Sequence, residues 1–308
     1  MIIKVPNRAF SSNKDLVDLL LKDFPKSYIN INGKRFKDEA LVKFLYDAEV
    51  AIIGLELINA ELLEKLPKLK FIAKYGVGLN NIDLEACKKR NIMVGWSPGV
   101  NKRSVAEMTL GFMLSLSRNL FITSNQLKNS IWNKNGGYQL SNKTIGIIGL
   151  GNIGREVVKL LKPFDCNILV NDITDITDFS KKNNLKIKTK EEIYNESDII
   201  SVHTPLTNKT KNLINKDVFL QMKSTSFIIN TARGGIINEI DLKFSLKNQI
   251  IFGAALDVYD IEPPNDEDLI KSPNLICTPH TGGNAHEAVI KMGESAISHI
   301  INYSKKIK

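Results

Sequence analysis

Two doubly wound α/β domains, each built on a parallel sheet and one inserted into the other, are what this sequence predicts. Three observations carry the prediction. Short apolar runs alternate with helical patterns from the first residues; the alternation breaks at Ser97-Pro98-Gly99 and resumes at Thr144; and a glycine-rich turn lies mid-chain, at Gly149 to Gly154, and not near the start. Strands that alternate with helices pair in parallel, because each crossover helix returns the chain to the same edge, and helices then cover both faces.

Length agrees. A chain of 308 residues is long for one core, and 43% apolar with 24% charged residues is ordinary globular material, which excludes the disordered and fibrous classes. Met1-Ile2-Ile3-Lys4-Val5-Pro6 is too short an apolar run for a secretory signal. No stretch approaches the ~20 apolar residues of a membrane span, so a cytoplasmic protein with no membrane partner is expected. Cys87, Cys166 and Cys277 lie far apart with no CxxC pair, which argues against a structural zinc site or a disulfide framework, and no metal is expected. The net charge of +9 comes from lysines spread along the whole chain, the pattern of a solvated basic surface and not of a nucleic-acid-binding arm.

The first five strands are read as Ile2 to Val5, Tyr28 to Ile31, Val50 to Gly54, Phe71 to Tyr75 and Ile92 to Val94. Helical spacing falls between them, at Asp15 to Lys22, Ala60 to Leu66 and Asp83 to Arg90, the last opened by an aspartate cap. After the break, Ser104 to Leu120 reads as a long helix with Ser104 as cap and Glu107 three residues on, the capping-box spacing. A polar segment, Asn129 to Asn142, leads to six further strands: Thr144 to Ile148, Asn167 to Val170, Asp198 to Val202, Phe227 to Asn230, Gly253 to Leu256 and Leu275 to Thr278. A last helix, Ala285 to Tyr303, has no further strand to serve and is expected to pack on the first domain. Lys305-Lys306-Ile307-Lys308 reads as a frayed tail.

Gly149-Leu150-Gly151-Asn152-Ile153-Gly154 matches GxGxxG, a weak pattern by itself. It gains specificity because it follows the strand Ile145-Gly146-Ile147-Ile148 and opens a helix from Arg155 to Leu161. Gly149 permits the tight turn, Gly151 lets backbone approach a pyrophosphate, Gly154 lets helix and strand pack, and the helix amino terminus faces the phosphates. Asp172, at the end of the next strand, stands where a carboxylate meets an adenosine ribose. It would repel a 2′-phosphate and no arginine adjoins it, so NAD is expected over NADP. The prediction is a Rossmann NAD-binding domain, residues 99–284, inserted into a flavodoxin-like substrate and catalytic domain made of residues 1–98 plus 285–308.

Ligands of open α/β sheets bind beyond the carboxyl ends of the strands. There this sequence places His203-Thr204-Pro205, Thr231-Ala232-Arg233, Asp257, and Pro279-His280. Arg233 is the natural anchor for an anionic substrate, because a planar guanidinium grips a carboxylate through two parallel hydrogen bonds. His280 is the general acid or base candidate, an imidazole titrating within reach of neutral pH. Glu262, on the loop Asp260-Ile261-Glu262-Pro263-Pro264, is placed to pair with it. His203 either touches the cofactor or bonds the backbone. His286 and His299 read as surface or packing residues, and Cys277 as a buried thiol.

These stretches resemble the D-isomer-specific 2-hydroxyacid dehydrogenase family, and within it the phosphoglycerate dehydrogenase-like branch. The resemblance runs through Tyr75-Gly76-Val77-Gly78 with Asn81-Ile82-Asp83, Asn101 to Glu107, the glycine motif, His203 to Thr207, Met222-Lys223, Asn230 to Gly234, Leu256-Asp257-Val258, Glu262-Pro263 and Thr278-Pro279-His280. It implies NAD-dependent, reversible hydride transfer at C2 of a 2-hydroxy acid, 3-phosphoglycerate among the candidates. Arg233, Glu262 and His280 would be the catalytic residues. The implied cofactor set is Gly149, Gly151, Asn152, Ile153, Gly154, Asp172, His203, Thr204, Pro205, Thr210, Thr231, Ala232, Arg233, Asp257, His280 and Gly282, with Asp257 on the nicotinamide amide. The implied substrate set is Lys74, Tyr75, Gly76, Val77, Gly78, Asn101, Arg233 and His280. A homodimer through the inserted domain is implied as well.

Departures from the branch bear on the substrate. Glu56-Leu57 stands where many phosphoglycerate enzymes carry a basic or hydroxyl pair, leaving Arg103, Lys102 or Lys74 to compensate. Trp96 and Asn80 replace a small polar residue and an aspartate, and the chain ends where feedback-inhibited members append a regulatory domain. Two other functions share the fold: an NAD-sensing corepressor that binds partner peptides, and a 2-oxo acid reductase of the glyoxylate or hydroxypyruvate type. Formate dehydrogenase is a further rival, and Glu262 argues against it because that branch lacks a carboxylate partner for its histidine.

Overall fold

The computed structural model describes residues 1–307, which divide into two compact units: Met1–Asn101 with the segment from Asn284 onward, and Lys102–Gly283. In the first unit the elements are β1 Ile3–Val5, α1 Arg8–Ser11, α2 Lys14–Asp23, β2 Tyr28–Ile29, α3 Asp38–Leu45, β3 Val50–Ile53, α4 Ala60–Glu64, β4 Phe71–Lys74, α5 Leu84–Lys89 and β5 Met93–Gly95. The strands form one parallel sheet in the order β2-β1-β3-β4-β5. β3 and β4 are buried at every residue, as apolar runs covered on both faces must be. Side-chain oxygens open the helices. Asn7, Asn13 and Asn59 accept from backbone N–H groups of α1, α2 and α4, and Asp83 accepts from Ala86 N at 2.9 Å, making the predicted aspartate cap.

The second unit contains α6 Lys102–Ser117, α7 Leu120–Lys128, β6 Thr144–Ile148, α8 Asn152–Leu161, β7 Asn167–Asn171, α9 Thr177–Lys182, β8 Lys186–Ile187, α10 Lys190–Glu196, β9 Ile199–Val202, α11 Lys216–Gln221, β10 Phe227–Asn230, α12 Glu239–Lys247, β11 Gly253–Leu256, α13 Glu267–Ile270 and β12 Leu275–Cys277. Its sheet has seven parallel strands in the order β12-β11-β10-β9-β6-β7-β8. Side chains of successive strand residues part to opposite faces: Ile148, Ile200, Val202 and Ile228 join one core, and Ile145, Ile147, Ile199 and Ile229 the other. The six strands expected here become seven because β8 is two exposed residues on the sheet edge, without an apolar pattern to announce it.

Two other expectations are corrected. α6 begins at Lys102, so Ser104 lies inside it; the Ser104 hydroxyl donates to the Gly282 carbonyl at 2.6 Å and Glu107 accepts from Arg103 Nε at 2.6 Å, so no capping box forms. The final helix, α14 His286–Lys306, runs through Lys305 and Lys306, whose charges suit the negative end of its dipole. It packs in the first unit, where Met292, Ala296, Ile297 and Ile300 meet Ile3, Val5, Val50 and Phe71, as the absence of a further strand predicted. Lys308 of the expected tail lies outside the described residues. No described helix is long and apolar enough to cross a membrane.

Candidate active site

The glycine turn begins where β6 ends. Gly149 has φ +95°, a value that favours glycine, and a Cβ there would lie 2.7 Å from the His203 backbone, so the turn packs on the end of β9. α8 starts at Asn152 and not at Arg155, which puts Gly154 within its first turn, where a Cβ would stand 2.2 Å from the Gly149 carbonyl oxygen. Gly151 occupies the N-cap with no side-chain cap bond, and a Cβ added to it would meet nothing within 4 Å. The amino terminus of α8 is therefore without a side-chain cap, and space is open beside Gly151, features that suit a diphosphate at a helix amino terminus.

Asp172 directly follows β7. Its carboxylate accepts from Leu150 N at 2.6 Å and from Thr174 N and Oγ1 at 2.8 Å, tying the end of β7 to the glycine turn. Burial pushes this carboxyl up, but the donors of Thr174 and Leu150 outweigh it and hold the group below the usual range, ionised. On β9's end, His203 Nε2 lies 2.9 Å from Ser201 Oγ, so its bond is to a side chain and not to backbone. His203 Nδ1 and Thr204 Oγ1 are buried without a partner among the described residues, and burial pushes the imidazole down to about 4. Orphaned polar atoms beside a glycine turn fit a bound dinucleotide, which brings its own donors and acceptors.

The remaining cofactor candidates are held locally. Thr210 Oγ1 donates to Pro205 O at 2.6 Å and accepts from Thr207 N at 2.7 Å, closing the loop after β9. The Thr231 hydroxyl lies 2.9 Å from that of Thr109 on α6. Asn230, which the sequence did not single out, accepts from Ala232 N at 3.0 Å and donates to Arg233 O at 2.8 Å, fixing the turn that presents Arg233. Arg233 Nη1 donates to Ala232 O at 2.6 Å; burial lowers its pKa and the charge of Glu262 acts against that.

His280 Nδ1 lies 2.7 Å from Glu262 Oε2, and Glu262 Oε1 accepts from Tyr259 N at 3.2 Å. His280 adopts φ +53°, the left-handed region. Asp257 supports this conformation. It is 1% exposed, and its carboxylate accepts from Thr278 Oγ1 at 2.6 Å, Thr281 N at 2.8 Å and Gly282 N at 2.7 Å, gripping the loop on both sides of His280. The sequence marked Asp257 as a strand-end acid; which N–H groups it would meet was not readable from it.

In the first unit, Lys74 is 4% exposed and donates to Gly54 O at 2.5 Å and Asn81 Oδ1 at 2.6 Å. Tyr75 is buried edge-on against Phe10, Gly76 has φ +127°, and the Val77 carbonyl accepts from Trp96 Nε1 at 2.7 Å. Gly78 and Asn101 are half-buried, and Asn80 is exposed. Arg103, one of the cations named above for a phosphate, is paired with Glu107 and Glu156 in the second unit. His299 packs through Ser97 Oγ at 2.9 Å, and His286 is the exposed first residue of α14. Cys87 is buried, Cys166 and Cys277 half-buried. No group of described His, Cys, Asp or Glu residues could hold a metal ion.

A dinucleotide turn at one part of a sheet edge and a carboxylate-backed imidazole at another provide for a hydride and a proton respectively, which is the requirement of a nicotinamide-dependent oxidoreductase. Relatives narrow that class. The NAD binding domain of D-isomer specific 2-hydroxyacid dehydrogenases matches residues 110–282. The chain is 35% identical over 96% of its length to D-3-phosphoglycerate dehydrogenase of Bacillus subtilis, spanning 55% of that relative. It is 33% identical over 94% of its length to hydroxypyruvate reductase of Thermotoga maritima, spanning 94% of it. Among solved structures, D-lactate dehydrogenase from Aquifex aeolicus, complexed with NAD and lactic acid, superposes with a TM-score of 0.84 at 26% identity, covering 99% of this chain and 96% of that one. The chain belongs to the D-isomer specific 2-hydroxyacid dehydrogenase family.

Proposed function

We propose that the protein reduces a 2-oxo acid with NADH, reversibly, to the D-2-hydroxy acid. The observation that carries this reading is the 2.7 Å contact of Glu262 with His280 Nδ1, in the unit that also carries the glycine turn. A carboxylate at Nδ1 selects the tautomer with its proton there and directs Nε2 to the substrate oxygen. Arg233 holds the substrate carboxylate and C2 oxygen. His280 gives its proton to that oxygen in reduction and takes it back in oxidation, while Glu262 steadies the imidazolium. When bound, the nicotinamide supplies or accepts the hydride at C2.

The α8 amino terminus with Gly149, Gly151, Asn152, Ile153 and Gly154 receives the diphosphate. Asp172 meets the adenosine ribose, and the loop from His203 through Thr210, with Thr231, Ala232 and Gly282, lines the cofactor. Asp257 gives three of the roughly four acceptor positions of a carboxylate to the His280 loop, leaving about one for the nicotinamide amide. The loop Lys74 to Gly78 and Asn101 are the substrate-facing parts of the first unit. A homodimer through the second unit fits the exposed Leu120, Phe121, Ile131, Trp132 and Tyr138, and a cytoplasmic location goes with NADH as reductant.

The test is a spectrophotometric screen of glyoxylate, hydroxypyruvate, phosphohydroxypyruvate, pyruvate and branched 2-oxo acids with NADH. Turnover of at least one is expected, lowered ~10²-fold or more in Arg233→Ala and in His280→Ala. No turnover of any, or unchanged turnover in both variants, would overturn the proposal.

A further inference from the structure

We infer that Glu239 is a positioning residue: it tethers the loop that carries Glu262 to the segment that carries Arg233, and so keeps the Glu262 carboxylate on His280. The inference rests on the proposed reduction of a 2-oxo acid and adds a residue to its machinery. All the residues concerned belong to the second unit.

Arg233 and Glu239 are the ends of one short segment, and it is fixed without help from the Glu262 loop. Asn230 shapes its first turn. Asn212 N donates to Gly235 O at 2.7 Å, Ile214 N to Ile236 O at 3.1 Å and Asn238 N to Ile214 O at 2.8 Å, while Ile236 and Ile237 are buried. Asn238 then caps α12, its side chain accepting from Asp241 N at 3.0 Å, so Glu239 is the first residue of a helix whose start is set by that cap.

The Glu262 loop has far fewer holds. It leaves from Tyr259, which is buried and whose hydroxyl donates to Thr278 O at 3.0 Å, and beyond that residue Asp260, Ile261, Glu262 and Pro263 are exposed. Of the backbone N–H groups from Asp260 to Asn265, only that of Asp260 finds an acceptor among the described residues, and the acceptor is Glu239 Oε1 at 2.7 Å. One helical turn along α12, Lys243 Nζ donates to Asp266 Oδ2 at 2.6 Å and closes the other end of the loop. A Cβ on Gly234 would fall 1.8 Å from the Tyr259 carbonyl oxygen, so the turn after Arg233 lies directly on the start of the loop.

A single residue, Ile261, separates the tethered Asp260 from Glu262, too little chain to absorb a movement of the tether. Released from Glu239, the carboxylate keeps only its own 3.2 Å contact with Tyr259 N to hold it at His280 Nδ1. Displacing reacting groups by about 1 Å lowers a rate by up to ~10²-fold. Arg233 stays in place, so substrate binding is spared. The position needs an acceptor and not a charge: burial, and then the charges of Asp260, Asp266 and Glu262, push the Glu239 carboxyl up against the pull of the Asp260 N–H.

The test is steady-state kinetics, with NADH and the best acid of the screen, for Glu239→Gln, Glu239→Asp, Glu262→Ala and the double variant Glu239→Asp with Glu262→Ala. Gln keeps the reach and an acceptor oxygen and drops the charge; Asp keeps the charge at the helix start and is one methylene short. Glu239→Gln is expected to keep kcat within about threefold and Glu239→Asp to lower it about tenfold or more, with KM for acid and NADH within about twofold in both. In the Glu262→Ala background Glu239→Asp is expected to lower kcat no further, because no carboxylate remains to be placed. An undiminished kcat in Glu239→Asp, a loss in Glu239→Gln as deep as in Glu239→Asp, or losses that multiply in the double variant each overturn the inference and leave 2-oxo acid reduction standing. So does a lowered melting temperature as the sole effect of Glu239→Asp. Failure of every acid in the unmodified protein overturns the proposed function and this inference with it.

Discussion

The carboxylate of Glu262 sits 2.7 Å from Nδ1 of His280, on the ring edge opposite the nitrogen that would face a substrate. Glu262→Gln keeps a hydrogen-bond acceptor and removes the charge, so kcat is expected to fall ~10- to 10²-fold with NADH affinity unchanged. Steady-state kinetics with a fluorescence titration of NADH checks both; an equal loss of NADH affinity would mean that Glu262 holds the fold and not the imidazole.

Asp257 holds the same loop from its other side. In Asp257→Asn an amide N–H₂ must face a backbone N–H of Thr281 or Gly282, and the expected result is a lower kcat, ~1–3 kcal/mol less stability, and faster amide exchange at Thr281 and Gly282. Denaturant unfolding and hydrogen exchange measure these. A variant that loses NADH affinity alone would assign Asp257 to the cofactor and not to the loop.

Two glycines of one motif should respond in opposite ways. A Cβ at Gly154 runs into the Gly149 carbonyl, so Gly154→Ala is expected to destabilise the protein without cofactor by ~1–3 kcal/mol. A Cβ at Gly151 meets no protein atom, so Gly151→Ala should melt with the unmodified protein yet bind NADH ~10-fold or more weakly. Thermal melts with and without NADH separate the two.

His203 makes stability depend on pH. Its imidazole, pushed down to about 4 by burial, lies below the ~6.5 of an unfolded chain, so the unfolded state takes up a proton first as pH falls. The contribution is complete above ~6.5 and lost progressively toward 4. Urea midpoints measured from about pH 8 to pH 5 should fall, and His203→Asn should flatten that slope.

The motifs legible in the sequence are those in which one residue type meets one steric or chemical demand. The glycine turn could be read because its glycines serve a tight turn, close packing and a ligand's approach. Asp83 could be read because a cap needs its acceptor one turn before a free N–H. Arg233 and His280 could be nominated from strand ends and Glu262 from the loop after Asp257, and Glu262 meets His280. What escaped depends on partners distant in sequence. Ser104 has a capping-box spacing and nevertheless bonds Gly282; Asn230 and Asp257 act through backbone groups of turns whose shape the sequence does not print. β8 and α7 escaped for a different reason: β8 is exposed at both residues and α7 buries none, so neither leaves an apolar period to detect.

The bond from Ser104 to Gly282 has a consequence for ancestry. Those residues stand near the first and last positions of the second unit, so its entrance and exit are stapled 2.6 Å apart. For the host sheet such an insert is a loop whose mouth is already shut, and closing it costs little chain entropy whatever its length. A module of this kind can be acquired in a single recombination event, or lifted out and permuted, without unravelling the framework that carries it.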